Sequence, residues 1–163
     1  MTTVADGAMT ARLRRARPAD AAAVAALHLA ARRDAMPYLP ALRSDEQIRA
    51  WTRDTLLPKA EVWVAELAGR PVGYLALVDD ILDHLYVGPE HQNRGVGSLL
   101  LAKAKALRPG GLRLYAFQRN RHARAFYEAR GFAPVEFSDG ASNDEQEPDV
   151  LYEWHGARSV MEA

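Results

Sequence analysis

The chain has 163 residues, 48% apolar and 26% charged, a composition that suits one globular domain with its own core. Its 21 basic and 21 acidic side chains cancel, and it has no cysteine, which excludes disulfides, thiol nucleophiles and cysteine-built metal sites. No stretch nears the roughly 20 consecutive apolar residues that cross a bilayer, and Met1 to Thr10 lacks the pattern of a signal peptide; with no overall charge to seek nucleic acid or membrane, the cytoplasm is the expected location.

Residues 1–10 read as a disordered leader, 11–156 as the domain, and 157–163 as a C-terminal tail. Leu13 to Arg17 forms a first strand, and Pro18-Ala19-Asp20 opens an alanine-rich helix with Val24, Leu27 and Ala31 on one face. After the breaks at Pro37 and Pro40, Ser44 and Gln47 make a capping box. The helix that follows carries Ile48, Trp51 and Thr55 on one face and ends at Pro58. Glu61 to Leu67 and Pro71 to Val78 read as strands joined by a turn at Ala68-Gly69-Arg70, with a third strand from Ile81 to Val87. A helix from about Gly95 to Leu107 has the stripe Val96, Leu100, Ala104 and Leu107. Leu112 to Phe117 is a strand, Arg121 to Arg130 a helix, and Phe132 to Phe137 and Val150 to His155 are the last strands.

The order β-α-α-β-β-β-α-β-α-β-β predicts an α/β domain with a mixed, mostly antiparallel sheet flanked by helices. Its hairpins pair antiparallel, and the strand-helix-strand unit at 81–117 supplies one parallel crossover.

The chemistry concentrates at Leu85-Tyr86-Val87-Gly88-Pro89-Glu90-His91-Gln92-Asn93-Arg94-Gly95-Val96-Gly97-Ser98. A strand enters a polar loop and then a helix with a glycine-rich first turn. Unpaired amides and the helix dipole make such a start attractive to anions. Gly95 and Gly97 clear the approach, and Arg94 adds a full charge, which together make a pyrophosphate cradle. The dinucleotide fingerprint fails, because Leu100 stands where its third glycine belongs. The Gly-Lys-Ser/Thr of a nucleoside-triphosphate loop is also absent.

Gln92-x-x-Gly95-x-Gly97 after Leu-Tyr-Val-x-Pro resembles the acyl-CoA motif of the GCN5-related N-acetyltransferase (GNAT) superfamily. Asn120-x-x-Ala123-x-x-Phe126-Tyr127-x-x-x-Gly131-Phe132 is similar to that family's C-terminal motif, and the topology from about 11 to 156 matches its acyl-CoA N-acyltransferase fold. The resemblance implies acetyl-CoA as co-substrate, with no metal, and direct transfer of acetyl to a primary amine of a small molecule or peptide. It places the pyrophosphate on Arg94, Gly95, Val96, Gly97 and Ser98, with Gln92 at the start of the loop. Backbone groups near Leu85 and Val87 would hold the pantetheine arm and the oxyanion. Asn120, with Ala123 and Phe126 of the same motif, would meet the arm from the other side.

On spacing alone Phe126 and Tyr127 read as core aromatics; within the motif Tyr127 matches the general acid that protonates the departing thiolate. The base is open between Asp83 and His84. Alternation puts Asp83 on the face of Leu85 and Val87 and His84 on that of Tyr86, so only one faces the cleft, and Asp83 is placed first. Ile81 stands where histone-type members carry a glutamate base, so that role does not transfer.

Arg119, Arg121, His122 and Arg124 suit either an adenosine 3′-phosphate or a solvated helix face. The acidic loop 138–149 fails the calcium-loop pattern, with Asp144 at its sixth position and Val150 at its twelfth. Its Asn143, Glu145 and Asp149 could attract a cationic amine. Two other readings stand beside the enzyme: a silent acyl-CoA-binding module, which Tyr127 argues against, and a protein acetyltransferase acting on N-termini or lysines. Neither nucleic acid nor a membrane is expected as a partner. Homodimers are common in the family, though nothing in the sequence demonstrates one.

Overall fold

A computed structural model describes residues 10–156. The expected leader and tail therefore lie outside the described residues, except for Thr10. Seven strands form one sheet in the order β1-β2-β3-β4-β5-β7-β6. They are β1 (Arg12–Arg15), β2 (Glu61–Leu67), β3 (Arg70–Val78), β4 (Ile81–Val87), β5 (Leu112–Phe117), β6 (Ala133–Ser138) and β7 (Asp149–Trp154). The helices are α1 (Ala21–Ala35), α2 (Asp45–Trp51), α3 (Val96–Leu107) and α4 (Arg121–Glu128). The predicted order of elements is the observed one, with every neighbouring pair antiparallel except β4 and β5.

Two cores flank the sheet. On one face Leu75, Leu77 and Leu82 pack with Leu100, Leu101 and Ala104 of α3 and Tyr127 of α4. On the other, Val62, Val64, Tyr74 and Ala76 pack against Val24 and Leu27 of α1 and Leu56. The predicted stripes of α1 and α3 are the buried ones, with Leu107 half-buried at the end of its helix. The second helix departs from expectation: a π-helical turn, Thr52–Leu56, follows α2, and a last α-turn runs Leu57–Lys59. Pro58 cannot supply an amide to an α-helical ladder, and the wider turn accommodates the loss. The register slips as a result, so Thr52 and Leu56, rather than Ile48 and Thr55, are fully buried. The Thr52 hydroxyl is satisfied by the Ile48 carbonyl at 2.8 Å.

Two features of β4 position the site. First, the parallel pairing to β5 has a single registered pair, Ile81 with Arg113, after which the strands splay. Second, β4 carries a β-bulge: Ala76 pairs with His84 and Leu77 with Leu82, which leaves Asp83 as the extra residue.

Candidate active site

The splay leaves the β5-facing backbone of β4 beyond Ile81 without a strand partner. A cavity of about 440 Å³ lies beside that edge. Its wall contains Leu85 and Val87 of β4, Gln92 and Gly95 of the loop, Gly97 and Ser98 of α3, and Asn120, Ala123, Phe126 and Tyr127 around α4. Residues from both sequence motifs, 85–98 and 120–132, thus converge on one cleft.

The loop has the backbone that a cradle requires. Asn93 (φ 63°) and Gly95 (φ 84°) adopt left-handed conformations on either side of Arg94, a curl that turns successive amides inward. A Cβ at Gly95 would meet nothing within 4 Å, so the glycine there serves backbone conformation and open approach. At Gly97 a Cβ would stand 3.4 Å from the Phe126 ring, an ordinary contact, so a methyl would fit there, whereas a longer side chain would compete with a ligand for the cavity that Gly97 lines. Val96 has its side chain in the core and can offer only its backbone to a ligand. Arg94 is exposed on the loop and is not on the cavity wall. Gln92 donates its amide to the Val87 carbonyl (3.3 Å), which fixes the loop to the end of β4. Asn120 caps α4, accepting from the Ala123 amide at 3.2 Å, and its amide nitrogen is left as a donor on the wall.

Tyr127 is buried between Phe126 and Phe132, with ring centroids 5.2 and 5.5 Å away. Burial, with a smaller push from Tyr86, raises its pKa and keeps the phenol protonated. Core aromatic and cavity residue are therefore both true of Tyr127.

The side-chain alternation expected at Asp83 and His84 does not hold. Because Asp83 is the bulged residue, Leu82 takes the place on the face of Leu85 and Val87, and Asp83 turns to solvent with half its side chain exposed. His84 does share a face with Tyr86, as expected. Neither residue is on the cavity wall. They pair with each other instead, His84 Nε2 lying 3.4 Å from Asp83 Oδ2, and this contact lowers the Asp83 pKa. The other ring nitrogen, Nδ1, is buried without a hydrogen-bond partner, among the rings of His28, Trp51, Tyr74 and Tyr86.

Most of the charges flanking the cleft are already engaged. Arg32 of α1 donates to Glu145 at 2.5 Å, and Arg119 makes two bonds to Glu147 at 2.8 and 2.9 Å. Arg43 lies 3.7 Å from Asp144. The Arg119 guanidinium also covers the Tyr38 ring at 3.8 Å. These contacts tie the 138–149 loop to α1, to the segment after it and to the turn between β5 and α4. Glu145 is thus neutralised by Arg32, while Asn143 and Asp149 bond within their own loop. The three residues considered for a cationic amine are committed elsewhere. Of the basic run, Arg124 donates to the Tyr152 hydroxyl at 2.9 Å, and only His122 reaches the cavity. Sequence reasoning missed Asn93, Tyr86 and Arg130, which also line the cavity. Arg130 sits inside the second motif, on a position that the motif leaves unspecified.

The family model for the acetyltransferase (GNAT) domain matches residues 58–134. The probable N-acetyltransferase Rv2775 of Mycobacterium tuberculosis is 30% identical over 139 residues, covering 74% of this chain and 79% of that protein. The chain therefore belongs to the GNAT family of acetyltransferases. Other similarities are shorter. The match to the uncharacterized N-acetyltransferase YafP of Escherichia coli, 39% identical over 64 residues, spans 36% of this chain and 43% of that protein. The peptidyl-lysine N-acetyltransferase YjaB of Escherichia coli is 33% identical over 79 residues, 48% of this chain and 53% of its own. The solution structure of apo YjaB shares the fold, with a TM-score of 0.75 at 24% identity, covering 90% of this chain and 99% of that one. Among the described residues no helix is long and apolar enough to cross a membrane.

Proposed function

We propose that this protein transfers acetyl from acetyl-CoA directly to a primary amine, with the amides of residues 94–98 gripping the pyrophosphate. The observation that carries the reading is the cavity itself. It joins the left-handed glycine turn at the start of α3 to the unpaired edge of β4, with Tyr127 on the same wall. The pantetheine arm runs along the β4 edge, and a free amide there stabilises the oxyanion as the amine attacks the thioester carbon. The carbon–sulfur bond then breaks, the Tyr127 hydroxyl gives its proton to the leaving thiolate, and the phenolate regains one, through water, from the nitrogen of the new amide. The base is set back from the cavity wall. His84, whose ring packs behind the wall residue Tyr86, takes the proton that the ammonium must lose at its unpartnered Nδ1 through water, while Asp83 at Nε2 orients the ring. A base held by a carboxylate recurs in acyl transfer.

The acceptor is read from the chemistry of the wall. No Asp or Glu lines the cavity, and its α1 side is Ala31, Ala35 and Met36. Such a wall suits one amine on an apolar stem and gives a polycation no counter-charge. A lysine side chain in a peptide fits, in keeping with the name of YjaB. The cytoplasm remains the expected location.

The test is a thiol-release assay with acetyl-CoA against lysine-containing peptides, polyamines, aminoglycosides and free amino acids. Turnover with the peptides is expected. Turnover with polyamines alone would reject the acceptor reading, and no thiol release above the acceptor-free rate with any of them would reject the enzyme.

A further inference from the structure

Arg130 is the one side chain among Asp, Glu, Lys and Arg on the cavity wall. It lies just past α4, and its guanidinium is stacked on the Phe126 ring, 3.9 Å from the centroid. Nη1 donates to the Phe126 carbonyl at 2.9 Å, and Nε and Nη2 donate to Ser98 Oγ at 3.3 and 2.9 Å. Every one of these acceptors is neutral. No carboxylate lies within ion-pairing distance of Arg130 among the described residues, in contrast to Arg32, Arg108, Arg113 and Arg119. A second cation adds to the excess: Lys105 Nζ donates to the Arg130 carbonyl at 2.5 Å and rests over Trp154.

A half-buried guanidinium without a counter-ion calls for an anion. It has five N–H groups, and the three bonds above leave two of them unassigned. Ser98 adds to the effect. Its oxygen already accepts twice from Arg130, which leaves its own O–H to donate. Ser98 belongs to the first turn of α3, where the amides of the glycine turn also point. Cation, hydroxyl and helix start thus face one volume from two helices.

The geometry points to Arg130 as a phosphate-gripping residue, which clamps the anionic half of coenzyme A from α4 while the turn at 94–98 holds it from α3. This inference rests on the reading that the cavity takes coenzyme A. The shared ligand chemistry is a phosphate oxygen, supplied by either the pyrophosphate or the 3′-phosphate.

Calorimetric titration of the full chain with coenzyme A and with 3′-dephospho-coenzyme A decides the matter. Arg130→Gln is expected to weaken coenzyme A binding about tenfold or more, as loss of a charge-assisted bond does, and to flatten the dependence of Kd on salt. Equal weakening for both ligands assigns the contact to the pyrophosphate, and weakening confined to coenzyme A assigns it to the 3′-phosphate. Arg130→Lys, which keeps the charge but loses the fork, should fall between wild type and Arg130→Gln and serves alone if the Gln variant does not fold. A Kd within twofold of wild type overturns the inference. So does a weaker Kd with an unchanged salt dependence, since a staple between helices would give that result. If wild-type protein fails to bind coenzyme A, the functional reading itself is wrong.

Discussion

Tyr127 owes its packing and its chemistry to different atoms. The ring fills the core between Phe126 and Phe132, whereas the hydroxyl has no hydrogen-bond partner among the described residues. Tyr127→Phe should therefore leave stability and coenzyme A affinity close to wild type while cutting turnover about 100-fold, the usual scale for a positioned acid. Turnover and calorimetry on one preparation check both halves. Because burial raises the phenol pKa, it stays protonated through the neutral range and is ready to donate. Asp83 and His84 act as a unit only if the bulge holds them together. His84→Gln is expected to lower kcat about 100-fold and Asp83→Asn about tenfold, the order that a base and its orienting carboxylate give. A larger loss for Asp83→Asn would reverse the assignment.

At the scale of elements, the strands and helices were legible because their patterns are local. The short apolar run with β-branched and aromatic residues in Glu61 to Leu67, the Ser44–Gln47 box and the stripe from Val96 to Ala104 each need only neighbouring residues. The bulge was hidden because nothing in Ile81 to Val87 marks which residue will go unpaired; register is decided with β3. The Arg32–Glu145 tie was out of reach for the same kind of reason, since it links residues far apart in the chain. The cofactor loop stood at the other extreme: its glycines and their spacing declare a helix start open to a ligand. The β2–β3 hairpin supplies a check on turn chemistry. Its two turn residues, Ala68 (φ 51°) and Gly69 (φ 78°), both sit in the left-handed region, which suits glycine but strains alanine. Ala68→Gly should stabilise the fold by about 1 kcal/mol in denaturant unfolding, and a loss of stability would show that the turn is not held as described.

Across the whole molecule, two cores on opposite faces of one sheet clamp β4 in place while its outer edge stays open for a ligand. One buried group makes that architecture sensitive to acid. His28, hydrogen-bonded to the Tyr74 hydroxyl at 3.0 Å, has its pKa pushed down to about 3 by burial, with His84 and Arg32 acting in the same direction. The folded chain keeps His28 neutral where the unfolded chain would protonate it. Its contribution to stability is therefore complete above about pH 6.5 and is lost as pH falls toward 3. Between pH 7 and about pH 4.5, wild type should lose about 2 kcal/mol more than His28→Gln in denaturant unfolding. Parallel profiles would mean that His28 takes up its proton without unfolding the chain.

The most direct measurement is a calorimetric titration of the purified chain with acetyl-CoA. One site per chain is expected, with affinity that survives Tyr127→Phe and is sharply reduced by Gly97→Glu, which sets a bulky anion at the start of α3. No heat at millimolar ligand, or equal affinity in the Gly97→Glu variant, would contradict the claim that the turn at 94–98 holds the cofactor.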